Sequence, residues 1–535
     1  MTRTAISLGH AERVPAPAAR ATDSGIVLGA AAIAAAVWAL LWILLPVWSD
    51  VSPSGDNVEQ LVWSQGFEFG YHKHPPLPTW ILIGAEQFFA PSLPLTFTLS
   101  ILGMLVGACF LWRLAGELLG SRAALPAVLA TGCIAFFSWR AHVFNHNTVM
   151  VPIVYASAWL FLRAVRTNSR SYWVLFGVAV AAGMLTKYQY ALVLSAFAVI
   201  AIQLRLYRQR SALQGMVLSA GVALLLLLPH IWWLVTNDFP PFRYAGKMVM
   251  ARLGALDRLD VSGGFLLQQV RDVVVAAAML GVAAWASGAK RQQTRERPHP
   301  EARVWIFSLG FVPLAVMLVL GLFAGVRLEN HWGMMVLQFA ALPLLYWFRG
   351  RKLIPLTVPL LATFLFVQAL ETVHYIRAES SDRSRTLEGG AVTAFDPRSL
   401  AQSVEADWQR TTDQPLRYIV GSTTWGGFIS LYSTTHPQVM IGGDASASPW
   451  VSPALVADCG AVYIDPIQPP PGTPISRHGE WTTVDYSNKH RGEALKVRWA
   501  IVSPSARCEG LATGAGEVAK GRRDVNSASG AGPEA

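Results

Sequence analysis

Two carboxylates three residues apart, Asp56 and Glu59, precede a run of basic and aromatic side chains, Tyr71, His72, Lys73 and His74, which leads into Pro75-Pro76 and Trp80. On a helix, positions i and i+3 share a face. Such a pair can serve as a general base or hold a metal; the spacing equally suits a capping Asp56 beside a solvated Glu59. Cations next to a rigid Pro-Pro turn suit a phosphate or pyrophosphate group, and contact with lipid headgroups would use them as well. Lys187, in LTKYQY, stands between two apolar segments. A charge at bilayer depth costs about 2.5–3.5 kcal/mol, so Lys187 must reach a surface or a polar cavity. Arg327, Glu329 and His331 in RLENHW, and Asn145, His146 and Asn147 in FNHN, lie at the ends of other apolar segments. Arg271-Asp272, inside an apolar segment, reads as a packing ion pair.

The elements that must position these residues are hydrocarbon-like. The chain has 535 residues, 53% hydrophobic and 14% charged, against about a quarter charged in soluble domains. An all-α polytopic membrane bundle is expected, with about eleven crossings at roughly 25–48, 93–112, 123–139, 148–162, 172–186, 189–204, 212–235, 264–286, 304–325, 332–348 and 353–371, the first about as long as a bilayer-spanning helix. Residues 1–24 read as a disordered cytoplasmic tail and 25–373 as the transmembrane domain. Its outer loop, 49–92, holds a short helix over 57–65 capped by Asp56 and a second over 78–89. The net charge is +10, with Lys and Arg concentrated in the loops on the N-terminal side. That bias places the N-terminus in the cytoplasm, and an odd number of crossings places Asp56 and the C-terminal part outside. It is not the pattern of a nucleic-acid patch, and no nucleic-acid partner is expected.

Residues 374–510 change composition. LRYIVGS (416–422), PQVMIGG (437–443), GAVYIDP (460–466) and VRWAIVSP (497–504) read as short strands, giving a small extracytoplasmic α/β domain, and 511–535 reads as a disordered tail. Cys109 and Cys133 lie in apolar segments, where Cys behaves as a small hydrophobe. Cys459 precedes one strand and Cys508 follows the last. If those strands are neighbours, a disulfide can form. No Cys/His cluster has zinc spacing.

The acidic residue after the first helix, followed by W…GY…HPPLPTW, resembles the bacterial branch of the protein O-mannosyltransferase-like membrane glycosyltransferases of GT-C fold. That branch includes lipid A aminoarabinose transferases and rhizobial lipopolysaccharide galacturonosyltransferases. Asp56 and His74-Pro75-Pro76-Leu77 match its first outer loop, GMLTKYQYALVL its Leu-Thr-Lys segment, and RLENHWGMMVLQFAALPLL its late motif. Asn57 stands where the family often has Glu, and Asn147 near where many members have Asp. The resemblance implies inverting transfer of a sugar from a polyprenyl-phosphate donor to a lipid or glycan acceptor, on the outer face of the cytoplasmic membrane. It implies Asp56 as general base with Glu59 beside it, and Lys73, His74, Lys187 and Arg327 as donor-phosphate cations. Tyr71, His72 and His331 are further substrate contacts. No cofactor is expected, and a divalent metal stays open. A transporter or flippase of lipid-linked sugars is the alternative; it leaves the carboxylate-bearing loop unexplained and would bring paired broken helices.

Overall fold

Apolar runs long enough to satisfy their own backbone fold as helices. The computed structural model describes residues 19–49, 54–248, 253–286, 300–348, 357–380, 385–387, 390–392, 396–485 and 493–508; the expected tail at 511–535 lies outside them, as do residues 1–18 of the tail expected at 1–24, whose last residues, 19–24, instead begin the first helix. In chain order the first part holds α1 (Ala19–Ser49), α2 (Gly55–Trp63), α3 (Leu77–Glu86), α4 (Leu93–Leu119), α5 (Ala124–Thr131), α6 (His146–Thr167), α7 (Arg170–Thr186), α8 (Ala191–Gln203), α9 (Arg210–Thr236), α10 (Pro240–Met248), α11 (Ala255–Ala286), α12 (Ala302–Ala324), α13 (Gly333–Val336), α14 (Ala341–Phe348) and α15 (Thr357–Ser380). They pack around Trp42, Tyr155, Phe161, Trp173 and Trp305, all buried.

Among the described residues, seven helices are long and apolar enough to cross a membrane: α1, α4, α6, α9, α11, α12 and α15, with α7 and α8 as shorter apolar helices. Two of the eleven expected crossings are not continuous. The 123–139 segment ends its helix at Thr131, and Gln368 Nε2 of α15 donates to the Gly132 carbonyl just beyond it at 2.9 Å. The 332–348 segment breaks after α13 and restarts at α14. Pro343 sits in the first turn of α14, where a missing N–H is harmless; in a continuous helix its ring would strike the carbonyl of residue 339. Asp56 is not a cap either. Helix α2 opens two residues earlier than expected, at Gly55, with Ser54 at the N-cap position, and Asp56 lies in its first turn, where the helix dipole favours an acid.

The second part holds a short hairpin, β1 (Arg385–Leu387) with β2 (Gly390–Val392), then α16 (Pro397–Gln409), β3 (Tyr418–Gly421), α17 (Thr423–Tyr432), β4 (Gln438–Ile441), α18 (Pro453–Cys459), β5 (Ala461–Ile464), β6 (Arg477–Asp485) and β7 (Glu493–Val502). The five-stranded sheet runs β4-β3-β5-β7-β6, with β3 parallel to β4 and β5, and β7 antiparallel to β5 and β6. The four expected strands are present. Strand β6, in the polar stretch RHGEWTTVD, was not anticipated.

The α2 segment joins the two parts. Val58 enters the core of Trp408, Phe428 and Trp499, and Val62 and Trp63 pack with Val439 and Ile441. Helix α17 approaches α2 so closely that a Cβ on Gly427 would overlap the Val58 side chain. Gln65 Nε2 donates to Ser430 Oγ at 3.0 Å and to the Pro437 carbonyl at 3.2 Å, while Gln65 Oε1 accepts the Val439 N–H at 2.9 Å. Beside it, Trp450 Nε1 donates to the Val439 carbonyl at 3.2 Å, and Ser448 Oγ accepts the Ile441 N–H at 2.7 Å.

Pairing of Ala461 with Val502 brings the ends of β5 and β7 together, and Cys459 is disulfide-bonded to Cys508 with Cα atoms 4.8 Å apart. Thiol labelling of the denatured, unreduced protein should modify Cys109 and Cys133, and should reach Cys459 and Cys508 only after reduction. Cys508→Ser should lower the stability of this part by about 2–4 kcal/mol, read from its urea midpoint.

Candidate functional site

Five separate stretches converge on one small cavity of about 80 Å³. It is lined by Asp56, Glu59 and Gln60 of α2, His74 before the Pro-Pro turn, Asn145, His146 and Asn147 at the start of α6, Lys187 after α7, and His331 in the 3-10 turn Asn330–Trp332. Asn145 fixes two of them. Its Oδ1 caps α6, accepting the N–H groups of Asn147 and Thr148 at 2.8 and 3.1 Å, while its Nδ2 donates to Asp56 Oδ2 at 2.7 Å. The other Asp56 oxygen accepts no hydrogen bond among the described residues, and Asp56 is exposed. Asn147 Oδ1 accepts from Lys187 Nζ at 2.8 Å. The positive end of the α6 dipole faces the same space.

Lys187 is half-buried, and what remains of its surface opens onto the cavity. Burial pushes its ammonium down to about 8, with Asp56 pulling the other way. His74 is held well below the usual imidazole range, first by burial and then by His146, Lys187 and Lys73. At neutral pH it is an uncharged hydrogen-bonding group, so it would meet an anion through an N–H and not as a cation. Its ring lies 4.2 Å from that of His146, whose Nε2 is 3.3 Å from the Pro75 carbonyl. Trp63 backs this group, stacked on Tyr71 at 5.0 Å and edge-on to His72, His74 and His146.

The remaining expected site residues have other surroundings. Lys73 Nζ forms an ion pair with Glu59 Oε2 at 2.6 Å at the cavity rim and lies over the Tyr244 ring. Tyr71 is buried and donates its hydroxyl to the Gly66 carbonyl at 2.7 Å. His72 lies outside the cavity lining, its imidazole pushed down to about 4 by burial and Lys73. Arg327 is exposed, pairs with Glu329 at 3.4 Å and does not line the cavity. The loop is anchored from α9: His230 Nδ1 donates to the Phe69 carbonyl at 2.6 Å, and His230 Nε2 accepts from Tyr188, next to Lys187, at 2.9 Å. Asn145, Asn147, His146 and Gln60 are site residues that the sequence reading did not assign. An Asn followed three residues later by Thr, just ahead of an apolar run, is an N-cap signal, and it could have placed Asn145.

A profile described as dolichyl-phosphate-mannose-protein mannosyltransferase matches residues 73–233. Lipopolysaccharide core galacturonosyltransferase RgtB of Rhizobium johnstonii is 27% identical over 197 residues, which are 36% of this chain and 40% of that protein. RgtA of the same organism is 28% identical over 186 residues, 34% of this chain and 37% of RgtA. The matched stretch therefore spans less than half the length of either relative. ArnT from Cupriavidus metallidurans, solved bound to undecaprenyl phosphate, superposes with a TM-score of 0.55 at 16% identity over 89% of this chain and 98% of that one; its apo structure gives 0.55 over 90% and 98%. The fold is like that of ArnT. The resemblance to GT-C membrane glycosyltransferases, carried in the sequence by Asp56, HPPL and LTK, is thus found at the level of profile, relatives and fold.

An open carboxylate oxygen and a partly desolvated lysine in one cavity can accept a proton and hold an anion. Dodecyl phosphate binding to the full-length protein should weaken as pH rises through about 8, because the Lys187 ammonium loses its charge there. Lys187→Ala should bind more weakly and flatten that pH dependence; an unchanged profile in the variant would assign the titration elsewhere.

Proposed function

We propose that the chain is an inverting glycosyltransferase that moves a sugar from a polyprenyl-phosphate donor to a lipid or glycan acceptor on the outer face of the cytoplasmic membrane. The observation that carries this reading is the pairing, within one cavity, of an exposed Asp56 carrying a free oxygen with Lys187. The profile and the RgtA and RgtB relatives support sugar transfer. The undecaprenyl phosphate bound to ArnT supports a lipid-phosphate ligand. In this reading Asp56 removes the proton of the acceptor hydroxyl as it attacks the anomeric carbon. Lys187 and the α6 N-terminus stabilise the negative charge on the departing phosphate, and His74 and His331 donate or accept hydrogen bonds. Glu59 keeps Lys73 in place at the rim.

The membrane orientation is part of the proposal: N-terminus in the cytoplasm, cavity and C-terminal α/β domain outside. The charge bias of the loops favours it, and so does the Cys459–Cys508 disulfide, since such bonds persist in oxidising compartments.

Asp56→Asn should insert in the membrane normally while transfer of labelled sugar from a polyprenyl-phosphate donor to membrane glycolipid falls about a hundredfold or more. Near-normal transfer would remove Asp56 from the catalytic role. A reporter fused after residue 510 should be active only outside the cytoplasm; activity confined to the cytoplasm would invert the topology.

A further inference from the structure

Arg140 lies in the segment between α5 and α6, five residues before the site residue Asn145. It is half-buried. Its guanidinium stacks on Trp139 at 4.6 Å and on Phe136 at 5.6 Å. Stacking uses the faces of the guanidinium and leaves its edge, where all the N–H donors lie, free to bind. Among the described residues that edge donates no hydrogen bond and forms no ion pair. The carboxylate that interacts with it, Asp272 of α11, instead takes a hydrogen bond from Gln268 at 3.1 Å. A cation whose donors have no direct partner in a helix bundle is costly, and such residues mark ligand positions.

A neighbouring group is also unpartnered. The Phe136 ring under Arg140 reaches Gly333, where the side-chain oxygen of Gln269 meets it from α11. Gln269 is 1% exposed and its Oε1 has no hydrogen-bond partner. Gly333 is two residues beyond His331, which lines the Lys187 cavity and feels the Arg140 charge. Buried polar groups in proteins are nearly always satisfied. An unsatisfied one beside an open guanidinium suits a ligand that completes both.

We propose that Arg140 heads a second anion-binding site, beside the contact of Phe136 with Gly333, which takes a phosphate or carboxylate oxyanion of a lipid or sugar substrate. The guanidinium edge holds two oxygens of the ligand, and the free Gln269 Oε1 accepts from its hydroxyl or amide groups. Asp272 offsets part of the Arg140 charge at longer range, so the site suits a singly charged oxyanion and disfavours a dense polyanion. The site stands on this geometry; its assignment to a substrate rests on the transferase reading.

The test uses full-length protein in detergent and two probes, dodecyl phosphate for a lipid phosphate and dodecyl β-glucuronide for a sugar carboxylate. Titration calorimetry compares wild type, Lys187→Ala and Arg140→Gln. Arg140→Gln should weaken one probe about tenfold or more, the scale of a lost hydrogen bond to a charged group, and the probe affected names the source of the oxyanion. That Arg140-dependent binding should survive in Lys187→Ala. Equal affinity of wild type and Arg140→Gln for both probes overturns the site, as does failure of the wild type to bind either. If Arg140→Gln does not fold, Arg140→Lys, which keeps the charge but lacks the planar fork, replaces it; unchanged affinity for both probes then overturns the proposal. Binding is read without sugar transfer, so an inactive transferase assay and a lost Arg140 site are separate results.

Discussion

A nine-residue helix has almost no stability of its own in water, and α2 exists because both of its faces are buried. Val58, Val62 and Trp63 are sunk in the cores of the C-terminal sheet. On the side toward the bundle, Asn57 donates to Thr96 at 2.8 Å and Gln60 accepts from Thr79 at 3.0 Å. What is left between these two faces is the edge that carries Asp56 and Glu59. The direction of the carboxylates is therefore set by hydrophobic burial on one side and by two hydrogen bonds on the other. The cavity, the loop that closes it and the docking of the sheet all depend on that sandwiched helix.

The charges around the cavity are arranged in two ways. Glu59 and Lys73 neutralise each other directly. Asp56 and Lys187 do not; each is hydrogen-bonded to a neutral amide, Asn145 and Asn147, one residue apart from each other on either side of His146. A direct pair between them would hold both side chains and leave neither free for a ligand. Amide partners orient the two groups and preserve their opposite charges for other molecules. The pair Asn145 and Asn147 works as a spacer, and a carboxylate at 147 would capture the Lys187 ammonium.

Much of this was legible in the sequence because it depends on charge and on period. Asp56, Lys187 and His331 stand out against apolar surroundings, and the short apolar runs bounded by turn residues at 416–422, 437–443 and 460–466 announce their strands. Neutral amides give a weaker signal: Asn145 and Asn147 stand out only as part of the polar FNHN stretch, with no role attached, and Gln60 not at all. The Glu59–Lys73 pair closes the loop that follows α2, whose geometry spacing does not encode. Hydropathy does not distinguish a continuous helix from an apolar segment broken by a turn, so 123–139 and 332–348 each read as one unbroken span. Arg140 was hidden as well: in sequence it is one more basic residue at the end of an apolar run, and only the packing shows that its edge is open.

Strand β4 is the outermost strand of the C-terminal sheet, yet it does not present a bare edge. The outward N–H and carbonyl of Val439 are taken by Gln65 and Trp450, and the outward N–H of Ile441 by Ser448. Exposed edges are templates for pairing with another chain. Here the seal comes partly from Gln65, which belongs to the loop after α2 and not to the sheet. The segment that carries the carboxylates therefore also guards the domain against strand addition. Any motion that draws α2 away from the sheet would uncover a sticky backbone edge together with the cavity.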